Sequence, residues 1–463
     1  MAMDRFEIAC NRFDGGTDPD LGDYVTRTKS LDELADPESQ HGIAVGLKGV
    51  GKTSAYRFLT MFDKTPDIAI AISPDTHSLS LASQDLNWSV CRKQFEHDLV
   101  IEALRNVCDH ASSIKQKYPK APLNEAQKHT QSYLDWIKKK AGRVKALGAS
   151  ILGCGFSITK DDAPTLVGLL PDKDIEDARR TLKKICAAGV QIRIVVDDPE
   201  LVFSAGRELD TDLVGGFCLA ALRLSADVAK FKVIGFLKTH VYHPVRVRTE
   251  DLSKYPDHMS RLNWSAPELQ GLVENRLKWA NMKWTDTFDC SGESEAKSLV
   301  HSMTERIRNG PRDLLRWLGL AIKNAGKKKI RKQHLDAVHP RMSSDALREM
   351  ESAHSSSYEK LGALVKAVFR SKTRTEFPRQ QFEEHLENLL VNDSRMRALS
   401  TMSWMQKESS DTLAQLLFEV GALAFRLNGK VILPYQEEYQ QENFDFADKL
   451  FLTPALSSAV KSL

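Results

Sequence analysis

Residues 46–53 read Gly-Leu-Lys-Gly-Val-Gly-Lys-Thr and fit the pattern G-x-x-x-x-G-K-[ST] at every constrained position. In a chain of 463 residues such a match arises by chance about one or two times in a hundred on ordinary residue frequencies. An apolar run suited to a buried strand, Gly42-Ile43-Ala44-Val45, ends at the motif, and a helix pattern over 53–62 begins there. That placement gives the motif a mechanism. Glycines let the backbone turn so that successive N–H groups face one concave anion site. The helix N-terminus adds partial positive charge. Lys52 can reach two phosphates and the Thr53 hydroxyl can face a Mg²⁺ ion. The expected nucleotide contacts are Gly46, Lys48, Gly49, Val50, Gly51, Lys52, Thr53 and Ser54, with ATP and Mg²⁺ as the bound species.

Composition narrows the class. Lys and Arg number 65 against 62 Asp and Glu, and 42% of residues are apolar. This excludes a disordered polyelectrolyte and a histone-like positive coat, though not a local basic patch. No apolar stretch reaches the roughly 18 residues of a membrane helix. The nearest is 146–158, interrupted by Ser150 and Ser157. The first residues lack a basic then apolar leader, so a cytoplasmic chain is expected. The seven cysteines, at 10, 91, 108, 154, 186, 218 and 290, form no C-x-x-C pair and read as free thiols.

A strand–helix–strand order, with a second apolar run at 67–72, opens an α/β parallel sheet. Residues 90–146 read mainly as helix, and the glycine-rich 147–168 breaks the α/β rhythm. Together, 90–168 is taken as an insertion. An amphipathic helix over 174–188 leads to Ile192-Arg193-Ile194-Val195-Val196 and then Asp197-Asp198. A helix over 213–224 leads to a strand at 231–237. From 265 onward the chain is helical: 265–279, 293–308, 311–324, 344–369, 379–390 and 411–420. Two short apolar runs around Asn428-Gly429 then signal a hairpin. Helices followed by a hairpin suggest a winged-helix module. The expected division is a P-loop core over 1–260, a helical lid over 261–330 and a C-terminal helical and winged-helix domain over 331–463.

A phosphate loop of this kind needs acids at the end of a neighbouring strand. Asp197 is the expected metal-side residue and Asp198 the group that polarises the attacking water, with Glu200 its rival. Beyond the strand at 231–237, Thr239 is the first choice for a contact to the terminal phosphate or the water, ahead of Lys238 and His240, because functional residues gather at strand carboxyl ends. Pro311 stands at a helix-start position. Arg312, on the first turn of that helix, could report on the phosphates, with Arg316 one turn on as the alternative. The basic run at 327–332 could meet a phosphate backbone, but lacks interleaved aromatics.

Taken in order, GLKGVGKTS, RIVVDD, FKVIGFLKTH, LNWSAPELQGLVENRL and NGPRDLLRW resemble the bacterial AAA-type and STAND-type P-loop ATPases found in anti-phage defence loci. The resemblance covers about residues 1–325. It implies Mg²⁺-dependent hydrolysis of ATP to ADP and phosphate, with the acidic pair serving metal and hydrolysis and Arg312 in the lid. It further implies a nucleotide-driven switch that self-assembles and acts on a protein effector, without a membrane. Two departures stand out: Lys238 where the family often has arginine, and Pro199-Glu200 where it commonly has Leu-Asp. No trans-acting arginine is identifiable; Arg207 and Arg223 are merely available. The rival expectation is a DNA-binding AAA-type initiator or loader that uses the wing around Arg426 to Lys430. Nucleic-acid contact is thus left open.

Overall fold

The computed structural model describes residues 2–461 except 13–14, 74–87, 142–171, 205–210, 256–257, 308–309, 327, 356–357, 371–375, 434–443 and 445. The glycine-rich segment at 147–168 lies outside the described residues, as do Cys154, Arg207, Asn309 and Lys327. The chain divides into two compact units. One comprises Lys29–Gly46 and Lys52–Leu262; the other comprises Met1–Thr28, Leu47–Gly51 and Asn263–Leu463.

The first unit is built on five parallel strands, β1 (Ile43–Gly46), β2 (Ile68–Ile72), β3 (Ile192–Asp197), β4 (Phe231–Lys238) and β5 (Met259–Arg261), in the order β2-β3-β4-β1-β5. This is an α/β fold with helices flanking a parallel sheet. Strands covered on both faces read as continuous apolar runs rather than alternating ones, which is why β1 to β4 are legible in the sequence. One face carries Ile43, Ile70, Ile194, Val196, Val233 and Leu237 into a core with the helices Trp88–Asp109, Asp172–Ala187 and Thr211–Asp227. Helix Thr211–Asp227 approaches Trp88–Asp109 closely at Gly216. A Cβ there would stand 2.5 Å from the Cys91 Cβ and 2.8 Å from the Arg92 nitrogen, so only glycine permits the contact.

The other face of the sheet buries two cations. Arg193 and Lys232 are register partners on β3 and β4, only 2% and 4% exposed. Arg193 donates to the Ala35 carbonyl at 2.5 Å and pairs with Asp63 at 2.6 Å. Lys232 donates to the carbonyls of Glu33 and Asp36 at 3.1 and 2.7 Å. These carbonyls lie at the C-terminal end of helix Lys29–Ala35, where the helix has no partner for them and cations are favoured. Burial, with Arg193 adding to it, pulls the Lys232 ammonium down to about 7, against the pull of Asp36 and Glu33. An unfolded lysine titrates near 10.4, so between those values the unfolded chain holds the proton more tightly. Folding stability is therefore expected to rise with pH from about 7 to about 10, by at most about 1.4 kcal/mol per pH unit. Lys232→Met should lack that gain. Thermal unfolding of both proteins at several pH values checks this; parallel curves would refute it.

In the second unit, helix Ala266–Trp279 starts at a capping box formed by Ser265 and Glu268. Helices Glu293–Thr304 and Pro311–Asn324 follow. The expected helix over 344–369 is two helices. The first begins earlier, giving Lys332–Ala353, and the second is Leu361–Phe369. The break precedes Lys360, whose φ of 59° is left-handed and cannot continue a helix. The Asn428-Gly429 turn has φ of 51° and 77°, the geometry of a two-residue hairpin turn, between β7 (Leu423–Leu427) and β8 (Lys430–Ile432). Two strands too short to show alternation, β6 (Glu376–Pro378) and β9 (Lys449–Leu452), extend it to an antiparallel sheet in the order β6-β9-β7-β8. Helices Arg379–Asn392 and Ser410–Glu419 pack with this sheet around Phe382, Leu417, Phe418 and Phe425. Among the described residues no helix is long and apolar enough to cross a membrane. The described cysteines are free thiols.

Candidate nucleotide site

The strand register sets the site. Gly46 on β1 stands beside Lys238 on β4, and Asp197 on β3 beside Phe236. The carboxyl ends of three parallel strands therefore meet at one edge of the sheet. From Gly46 the chain enters the glycine loop, where Gly49 and Gly51 take φ of 89° and 102°, a region that favours glycine. Helix Lys52–Arg57 follows and widens into a π turn over Phe58–Phe62, so the expected helix over 53–62 changes winding halfway.

Lys52 is 7% exposed and its Nζ donates to the Gly46 carbonyl at 2.9 Å. Burial pulls this ammonium down to about 8, opposed chiefly by Asp198. Thr53 and Ser54 are half-buried on the helix, and Lys48 is exposed. Asp197 is buried, and burial together with Asp198 pushes its carboxyl up to about 6, against a hydrogen bond from Thr53 and the charge of Lys52.

Asp198 sits at φ of 43°, a left-handed conformation that is uncommon for a non-glycine residue. Helix Pro199–Ser204 opens immediately after it, and the Leu201 N–H bonds to the Asp198 carbonyl at 2.8 Å. Pro199 thus departs from the family pattern by starting a helix, a position where its missing N–H is harmless. That first turn brings Glu200 back beside the strand ends. The Lys238 Nζ lies 3.1 Å from Glu200 and 3.4 Å from Asp198. Burial lowers the Lys238 ammonium, but Glu200 and Asp198 outweigh it and hold the group above its ordinary value. Glu200 is itself raised by burial, against Lys238. At the carboxyl end of β4, Lys238 therefore touches the acids. Thr239 opens helix Thr239–Arg248 and is half-buried. The His240 side chain lies outside the described residues.

The chemistry of the donors fits a phosphate chain with a divalent cation. Among the described residues, Asp197 Oδ1 and Glu200 Oε2 are buried without a hydrogen bond, while Asp198 Oδ1 and Glu200 Oε1 face the Lys238 ammonium. Buried acceptors are nearly always satisfied, and a cation or its waters would satisfy these. No cluster of three or more His, Cys, Asp or Glu among the described residues forms a metal cage. Mg²⁺ characteristically uses one or two carboxylates plus substrate phosphates, which Asp197 and the Thr53 hydroxyl would complement.

Arg312 belongs to the other unit, on the first turn of helix Pro311–Asn324. Its Nε is buried without a hydrogen-bond partner among the described residues. Arg316, the alternative, is engaged: it pairs with Asp345 at 2.6 Å and Glu349 at 2.7 Å, tying its helix to Lys332–Ala353. Arg223 lies 3.9 Å from Glu96 within the sheet unit. Sequence reasoning named the loop and the acids but missed that Lys238 bridges Asp198 and Glu200; an unexplained lysine at a strand end beside three acids was the available signal.

No protein-family model matches the sequence, and no curated relative does. Three solved structures are similar in outline. A Walker-type ATPase of Pyrococcus abyssi is 10% identical, with 94% of this chain and 95% of that one covered and a TM-score of 0.42. The ORC2 protein of Aeropyrum pernix, in ADPNP–ADP complexes, is 9% identical over 96% and 98%, with a TM-score of 0.39. Cdc6p from Pyrobaculum aerophilum is 11% identical over 96% and 98%, with a TM-score of 0.31.

Proposed function

We propose that this protein is an ATPase that hydrolyses ATP to ADP and phosphate and uses the nucleotide as a conformational or oligomerisation switch. The observation that carries the reading is the meeting of Lys52, Lys238 and three acids, with Asp197 Oδ1 and Glu200 Oε2 lacking hydrogen bonds among the described residues, at the strand end that opens into a glycine loop. Lys52 would leave the Gly46 carbonyl for the phosphates, and the loop N–H groups would hold them. Asp197 and Thr53 would hold Mg²⁺, which when bound neutralises charge developing on the transferred phosphoryl group. Asp198 would orient and deprotonate the attacking water, with Glu200 its rival. Lys238 and Thr239 stand at the strand end, where either would contact the terminal phosphate. Phosphate release from ATP·Mg²⁺, measured with and without duplex DNA, tests the reading. Turnover independent of DNA supports it, and turnover that requires DNA favours the initiator reading. The wing cation Arg426 lies 3.3 Å from Glu376, so its charge is already partnered.

We propose, from the sequence resemblance, a role for this switch in anti-phage defence with a protein effector; phage plating on cells carrying the chain and its neighbouring genes would test it. A switch needs a ligand that distinguishes two states. ATP·Mg²⁺, but not ADP, is therefore expected to favour a larger homo-oligomer, and Arg312→Ala to weaken this shift more than it weakens binding. Sedimentation velocity of the wild type, the Arg312→Ala variant and a hydrolysis-deficient variant decides it. Identical distributions with both nucleotides would exclude self-assembly as the output.

A further inference from the structure

The segment after β5 runs alongside the glycine loop. Trp264 is 9% exposed, and its indole Nε1–H donates to the Val50 carbonyl at 2.7 Å. A Cβ built on Gly51 would lie 3.8 Å from the Trp264 ring and 4.0 Å from Pro311. Val50 is itself 2% exposed, and its N–H bonds to the Leu47 carbonyl at 3.3 Å.

The Val50–Gly51 peptide is trans, so its C=O and its N–H point in opposite directions. Gly51 has no Cβ to resist rotation about φ, so sterics alone do not fix that peptide plane. The Val50 N–H bond restrains the preceding peptide and leaves this one free to turn. An indole is a donor without an acceptor, held here in a place water reaches poorly. It holds the Val50 carbonyl toward the indole and thereby holds the Gly51 N–H facing away from Trp264.

We propose that Trp264 is a positioning residue of the phosphate loop: its indole hydrogen bond locks the Val50–Gly51 peptide so that the Gly51 N–H stays aimed into the phosphate cradle. The inference rests on reading the loop as such a cradle. It gives the tryptophan of the LNWSAPELQ segment a role that composition and motif do not. Loop amides of this kind serve phosphates that ATP and ADP share, so the effect falls on both nucleotides alike.

Trp264→Phe keeps a ring against Gly51 and removes only the donor. It is expected to weaken ATP·Mg²⁺ and ADP·Mg²⁺ equally, by about fivefold to tenfold in titration calorimetry, the effect of one lost hydrogen bond. KM for ATP should rise more than kcat falls. Without nucleotide, hydrogen exchange over residues 47–52 should be faster than in the wild type. Trp284→Phe is the matched control, because the Trp284 Nε1 is buried with no hydrogen-bond partner among the described residues. It should bind both nucleotides as the wild type does. Wild-type affinity and loop exchange in Trp264→Phe would overturn the proposal, as would equal losses in both tryptophan variants. Failure of the wild type to bind either nucleotide would instead overturn the ATPase reading.

Discussion

Lys52→Ala is expected to lower the affinity for ATP·Mg²⁺ at least about a hundredfold and to abolish turnover, while the fold remains. A hydrogen bond to a charged group is worth about 1.5–3 kcal/mol, and Lys52 would make more than one to the phosphates. The site holds Asp197, Asp198 and Glu200 against Lys52 and Lys238. Without Lys52, Lys238 alone opposes three acids, and an incoming polyanion meets net repulsion. The fold should tolerate the change because the lost hydrogen bond is to one strand-end carbonyl, and burial already disfavours the ammonium. Calorimetric titration together with circular dichroism checks this. A folded variant with undiminished affinity and turnover would end the nucleotide-site assignment.

Asp198→Asn is expected to leave ATP binding within a few-fold of wild type and to slow hydrolysis by ~10²-fold or more, the low end of general-base effects. The substitution is conformationally clean, since asparagine is among the residues that best tolerate the left-handed backbone seen at φ of 43°. Glu200→Gln is the necessary companion. Both acids lie within 3.4 Å of the Lys238 Nζ, and burial raises the proton affinity of Glu200. Single-turnover rates with prebound ATP separate binding from chemistry. If Glu200→Gln alone produces the slow phenotype, the water is served by Glu200 and Asp198 is the wrong choice.

The site was legible in the sequence to different depths. The glycine loop was fully readable because its chemistry resides in eight consecutive residues and in their flanking strand and helix. Strands β1 to β4 were readable as unbroken apolar runs, which parallel strands buried on both faces require. The short strands β5, β6 and β9 were not, since three or four residues carry too little periodicity. Helix Ala2–Asn11 was not read either; it buries only Phe6, Ala9 and Cys10, too few to mark an apolar face. Pro199 looked like a disturbance of the acidic pair, yet it begins the helical turn that brings Glu200 to Lys238.

The sequence by itself determined that a phosphate-type loop sits between a strand and a helix and that acids end a later strand, because each depends only on neighbouring residues. Tertiary structure decided which groups meet. The order β2-β3-β4-β1-β5 sets Gly46 beside Lys238 and carries Asp198 and Glu200 to the same lysine. Packing within the other unit engaged Arg316 with Asp345 and Glu349, and put an indole on the loop carbonyl of Val50. Those contacts join residues far apart in the chain. Their partners are fixed by strand register and helix packing, which no local pattern of residues encodes.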